Sequence, residues 1–137
     1  MKELAVKYFL SGYSCSESIV QAAVDKGYVK QDLLQVASAF SGGMGVRCLC
    51  GAVAGSQLVI SSIYGKIQGK QDGMQARKLA KVFNEKFAQT YKVNCCKVLS
   101  AGFDFSSQER KQNCTKLVSF CATILEEILK EEMVEVK

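Results

Sequence analysis

None of the 137 residues is proline, so nothing in the chain forces a break inside a helix. The apolar residues follow a helical period. Leu4, Ala5, Tyr8 and Phe9 share one face over 2–10, and Gly12 ends that segment. Ser14-Cys15-Ser16-Glu17 reads as a capping box, with serine at the N-cap and glutamate three residues on. It predicts a helix through Ile19, Val20, Ala23 and Val24 to Gly27. Leu33, Leu34, Val36, Ala37 and Phe40 carry the period further. Ser41-Gly42-Gly43-Met44-Gly45 then interrupts it with a loop able to approach another group closely. A fourth helix is predicted from about 47–49 to Gly65, a polar loop over 66–73, and a long amphipathic helix over 75–91. The last of these carries Leu79, Val82, Phe83, Phe87 and Tyr91 on one face. A short turn or helical piece follows over 94–102. Ser106-Ser107-Gln108-Glu109 reads as a second capping box, ahead of a helix with Leu117, Val118, Cys121, Ile124, Leu125 and Ile128. No repeat and no linker is visible. The expected fold is all-α, a single compact bundle of five or six helices over 1–137.

Composition narrows the chemistry. Hydrophobic residues make up 48% and charged residues 23%, the balance of a globular chain. A domain of this length buries roughly two-thirds of its unfolded surface and needs no disulfide staples. Histidine is absent, which excludes a Ser-His-Asp triad, a Cys-His pair and a histidine-ligated zinc within the chain. The formal charge of +5 is spread over most segments without a basic block, so no nucleic acid is expected. The longest apolar stretch, 48–63, contains Gly51, Gly55, Ser56, Gln57, Ser61 and Ser62 and is too short and polar for a membrane span. The start, MKELAVKYFLSG, holds Glu3 and two lysines where a secretory signal needs an apolar run. The expected setting is therefore cytoplasmic, with reduced thiols, where cysteines point to metal or redox chemistry.

Seven cysteines are the informative excess. Cys15 stands at the first position after its N-cap, where amide groups and the helix dipole favour a thiolate. Cys48 and Cys50 follow the glycine loop, in which Gly43 and Gly45 allow a close approach. Gly51 and Gly55, four apart on one helix face with Ala52, leave that face nearly bare. It can take a cofactor, another helix or a second subunit. Cys95 and Cys96 are adjacent, a strained arrangement for a mutual disulfide, so one of them is expected at a site. Cys121, among Leu117, Val118, Ile124 and Leu125, reads as core. Cys114 lies seven residues earlier on the same face.

Taken together, Cys15 in Tyr13-Ser14-Cys15-Ser16-Glu17, the run Gly42-Gly43-Met44-Gly45, Cys50-Gly51-Ala52-Val53-Ala54-Gly55, Cys96-Lys97-Val98-Leu99 and Cys114-Thr115-Lys116-Leu117-Val118 resemble the C_GCAxxG_C_C family, whose name marks it as redox-active. The likeness runs from about Tyr13 to Ile128. Where the family name spells Gly-Cys-Ala, this chain reads Cys50-Gly51-Ala52, and Cys48 and Cys95 are extra thiols beside hallmark ones. The resemblance implies an all-helical domain in which Cys15, Cys50, Cys96 and Cys114 act together as working or metal-ligating thiols, with Cys48 and Cys95 as additional candidates. Three chemistries are open. An iron–sulfur cluster or another thiolate-bound metal would serve electron transfer with a redox partner protein. Thiol–disulfide exchange would use Cys15 as attacking thiolate and Cys50 or Cys96 to resolve. A structural four-cysteine zinc site or a cofactor-free binding bundle is the third.

Overall fold

Residues 1–67, 73–104 and 106–136 are described in the computed structural model. Among them are seven helices, one more than the upper expectation: α1 (Lys2–Leu10), α2 (Cys15–Asp25), α3 (Leu33–Ala37), α4 (Gly51–Tyr64), α5 (Met74–Thr90), α6 (Cys96–Leu99) and α7 (Gln108–Val136). The additional element is α6, a single turn. Among the described residues there is no strand, only one isolated antiparallel bridge between Leu49 and Cys95. The fold class is all-α, as expected. No helix among the described residues is long and apolar enough to cross a membrane. Residues 68–72 of the expected polar loop lie outside the described residues.

The first capping box forms as read. Ser14 Oγ accepts from the Glu17 amide at 3.3 Å, and the Glu17 carboxylate accepts from the Ser14 amide at 3.0 Å. That second bond is the main cause holding the Glu17 carboxyl below its usual range. The second box is corrected. Ser107, not Ser106, caps α7, its Oγ accepting from the Arg110 amide at 3.1 Å. One register later, the third helical residue is Arg110 instead of Glu109, so only the serine half of the motif forms.

The start of α4 is also corrected, from 47–49 to Gly51. Residues 48–50 are non-helical and pair with 94–96: the Cys50 amide donates to Asn94 O at 2.7 Å and the Cys96 amide donates to Cys48 O. This pairing holds 48–50 out of the helix.

The core is built from one face each of α1, α2, α4, α5 and α7. Ile19 and Val20, Val59 and Ile60, Phe83 and Phe87, and Val118, Leu125 and Leu129 are fully or almost fully buried in one cluster. Phe87 stacks on Tyr91 at 5.3 Å and tilts against Phe120 at 5.9 Å. Helices α2 and α4 approach backbone to backbone. A Cβ on Gly55 would lie 2.8 Å from the Ser16 carbonyl oxygen and 3.0 Å from its Cα. Gly55 is thus a helix–helix contact, one of the alternatives open for the bare face.

The glycine loop turns over the start of α2. Ser16 Oγ donates to Ala37 O at 2.8 Å, and Ser41 Oγ hydrogen-bonds Ser14 Oγ at 2.6 Å. Beyond Ser41 the backbone is left-handed at several positions, including Met44 (φ 60°) and Arg47 (φ 59°). Such a conformation costs a non-glycine residue about 1–2 kcal/mol. Two outcomes follow for urea unfolding. Ser14→Ala loses the cap and should lower stability by about 1 kcal/mol with an unchanged m-value. Met44→Gly, at an exposed position, should raise it by about 1 kcal/mol; an unchanged midpoint would show that the loop carries no strain there.

Candidate functional site

Four cysteines from four parts of the chain meet at one small cavity. Cys15 arrives on the first turn of α2, Cys50 immediately before α4, Cys96 on α6 and Cys114 on α7. All four line an enclosed space of about 30 Å³ together with Gly42, Gly51 and Leu99. The volume is about that of one water molecule.

Local structure explains how each thiol gets there. The 48–50/94–96 pairing places Cys50 beside the segment that leads into Cys96. Gly43 (φ 65°) makes room for that pairing: a Cβ on it would stand 2.4 Å from the Cys48 amide nitrogen and 2.8 Å from the Cys96 Cβ. Gly51 makes room for Cys15. A Cβ at 51 would lie 2.2 Å from Cys15 Sγ and 3.0 Å from Phe40 O. No real side chain tolerates such contacts, so the wall of the cavity at this point is bare backbone.

The other candidates fall elsewhere. The Cys95 thiol donates to Arg47 O at 3.6 Å and is not in the lining, and Cys48 is exposed. The structure therefore answers what adjacency left open: of Cys95 and Cys96, Cys96 faces the cavity. Gly45 (φ 76°) has nothing near its Cβ position and lies on the outer rim with Val46 and Arg47. Cys121 is fully buried in the core and is not in the cavity lining, which on α7 includes Cys114 and Leu117. Sequence reading missed Gly42 and Arg110, which also line the cavity. Arg110 had no local motif to mark it, since it joins the site only because α7 folds back on α2.

Electrostatics run against the expectation of a low-pKa Cys15. Burial pushes its thiol up, and this outweighs the amides of Gly42 and Ser16, which pull it down. Cys50 is pushed up to about 12, again mainly by burial and against the amides of Val53 and Ala52. Burial also raises the Cys114 thiol, with Arg110 and, more weakly, Lys111 opposing the shift. The helix start does favour a thiolate at Cys15, but desolvation is the larger effect.

The model of the family described as "Putative redox-active protein (C_GCAxxG_C_C)" matches residues 13–128. The chain belongs to this family. Neither a curated protein nor a solved structure matches it. The family description makes the chain a redox-active type.

The cavity tests the expected iron–sulfur or other metal centre. The donor set suits a soft metal: four thiols and no histidine. The spacing does not. Among the described residues no group of three or more Cys, Asp or Glu stands at metal-binding distances.

Raised thiol pKa values link to stability. A group whose folded pKa exceeds its unfolded value contributes stability that is fully present below the unfolded pKa, 9.0 for a thiol, and lost as pH rises towards the folded one. For Cys50 the window is pH 9 to about 12, with a slope of up to ~1.4 kcal/mol per pH unit. The urea midpoint of the reduced protein should hold steady to about pH 8.5 and fall above pH 9. Cys50→Ala should flatten that fall; an identical pH profile in the variant would refute a buried, protonated Cys50.

Proposed function

We propose that this C_GCAxxG_C_C protein is a dithiol–disulfide redox protein whose electrons are held by the thiols around the inner cavity. The observation that supports this best is the convergence of Cys15, Cys50, Cys96 and Cys114, from four elements, on the lining of one small space. In the reduced state burial keeps Cys15, Cys50 and Cys114 as neutral thiols. Oxidation of two thiols to one disulfide releases two electrons and two protons to a partner disulfide, and it leaves no charge behind in the cavity. Because neutral thiols react slowly, the exchange depends on a thiol that solvent reaches. Cys15 then serves as the inner partner more readily than as the attacking thiolate.

A second reading keeps the same thiols and makes them ligands of a soft metal centre. It is favoured by the raised thiols themselves, since a bound cation takes the place of the protons that burial retains.

One sample separates the two. Protein made with iron supplied and purified without oxygen should be colourless, hold no stoichiometric iron, zinc or acid-labile sulfide, and titrate seven thiols when unfolded. After equilibration with a glutathione disulfide buffer it should titrate five, with the lost pair mapping within Cys15, Cys50, Cys96 and Cys114. Cys121→Ala should lose the same pair, and Cys50→Ala should alter it. Stoichiometric iron and sulfide with absorbance in the ~400 nm region would overturn the dithiol reading in favour of the metal centre.

A further inference from the structure

A second, larger space lies outside the first. An open cleft of about 670 Å³ runs between the end of α1, the start of α2 and the start of α7, within the size range of small-molecule sites. Cys15 and Cys114 line both spaces, whereas Cys50 and Cys96 line only the inner one. Of the four thiols, Cys15 and Cys114 are therefore the two that a ligand in the cleft can meet.

The charge of the cleft has one sign. Arg110 and Lys111 line it, and none of its described lining residues is acidic. The Lys111 ammonium sits 4.5 Å from the centre of the Phe9 ring, a cation–π contact that keeps the charge at the cleft wall. Ser107, the cap of α7, and the first residue of that helix also line the cleft, so the positive end of a long helix adds to the field. Phe9 supplies an apolar wall beside these groups. Positive charge, an apolar surface and a partly exposed thiol in one cleft fit a ligand with an anionic group and a sulfur atom a few bonds apart.

We propose that this cleft binds small anionic disulfides and their thiols, such as carboxylate-bearing ones, and delivers them to Cys114 as the entry thiol with Cys15 as the resolving thiol. The proposal rests on the dithiol reading above. Cys114 gives its proton to solvent in the cleft and attacks one sulfur of R–S–S–R. A Cys114–S–S–R bond forms, and R–S⁻ leaves with the electron pair of the broken bond and takes up a proton. Cys15 then attacks the Cys114 sulfur as its proton passes to the departing R–S⁻; a Cys15–Cys114 disulfide forms and the second R–SH leaves. Two protein thiols have lost two electrons and two protons, and one disulfide has become two thiols. Reversed, the same steps oxidise the small thiol.

The test compares two aromatic disulfides on the fully reduced chain: dianionic dithiobis(nitrobenzoate) and neutral dithiodipyridine. Rates are followed at Cys114 by quenching and peptide mapping, in the unaltered chain and in Lys111→Glu. Taking the ratio of anionic to neutral rates cancels any change in the reactivity of Cys114 itself. The ratio should fall about tenfold in Lys111→Glu and should fall with added salt in the unaltered chain. An equal ratio in both proteins, or a Cys114 left as a free thiol by both probes, neither in a mixed disulfide nor joined to Cys15, would overturn the anionic cleft. The dithiol reading is judged separately, from whether the neutral probe leaves a Cys15–Cys114 disulfide. Charge selectivity without that disulfide keeps the binding site and removes the exchange step; the disulfide without selectivity does the reverse.

Discussion

The backbone-to-backbone approach of α4 to the start of α2 is the contact on which the rest of the structure depends. It exists because Gly51 and Gly55 present no side chain on the facing surface. Gly55 meets the backbone of Ser16, and one turn earlier Gly51 meets the sulfur of Cys15. The same step thus packs two helices and sets Cys15 beside the entry to α4, where Cys50 stands. The short antiparallel pairing of 48–50 with 94–96 then adds Cys96, and the packing of α7 adds Cys114. Each thiol is positioned by backbone geometry that leaves its own sulfur free.

Burial decides what these sulfurs can do. A thiol at a helix start is commonly activated, because amide groups and the dipole favour the thiolate. At Cys15 those groups are present, yet desolvation is larger and the proton stays. The same balance is stronger at Cys50. A cavity of protonated thiols is suited to chemistry in which electrons and protons leave together, as in disulfide formation. It is poorly suited to nucleophilic attack from within. Reactivity must enter from the edge, where Arg110 and Lys111 act against the desolvation of Cys114.

Much of this was legible in the sequence, for identifiable reasons. Helical period and the Ser14/Glu17 box are local signals, and both elements formed where local chemistry put them. The boundary of α4 was not legible, because the pairing that delays it joins residues more than forty positions apart. The register of the α7 cap was missed by one residue because Ser106 and Ser107 offer the same side chain. The choice between Cys95 and Cys96 could not be made from adjacency: neighbouring side chains point apart, and which one points inward depends on the partner segment. The expected tuning of Cys15 failed on burial, a tertiary property. The Arg110/Lys111 wall was invisible for the same reason, as two cations in a helix normally mark a solvated face.

The arrangement of the two spaces gives the four cysteines unequal parts. Were all four open to solvent, any pair could be oxidised by any disulfide that diffused past. Instead Cys50 is buried, and Cys15 and Cys114 are the two thiols that the inner cavity shares with the cleft. On the proposed dithiol reading, an electron pair exchanged with a ligand in the cleft passes through Cys15 or Cys114, and the charge around the cleft decides which reagents reach them. Selectivity is then set outside the cavity by Lys111 and its neighbours. The storage is set inside it by glycines that let the sulfurs meet. The two properties sit on different residues, so either can change without the other.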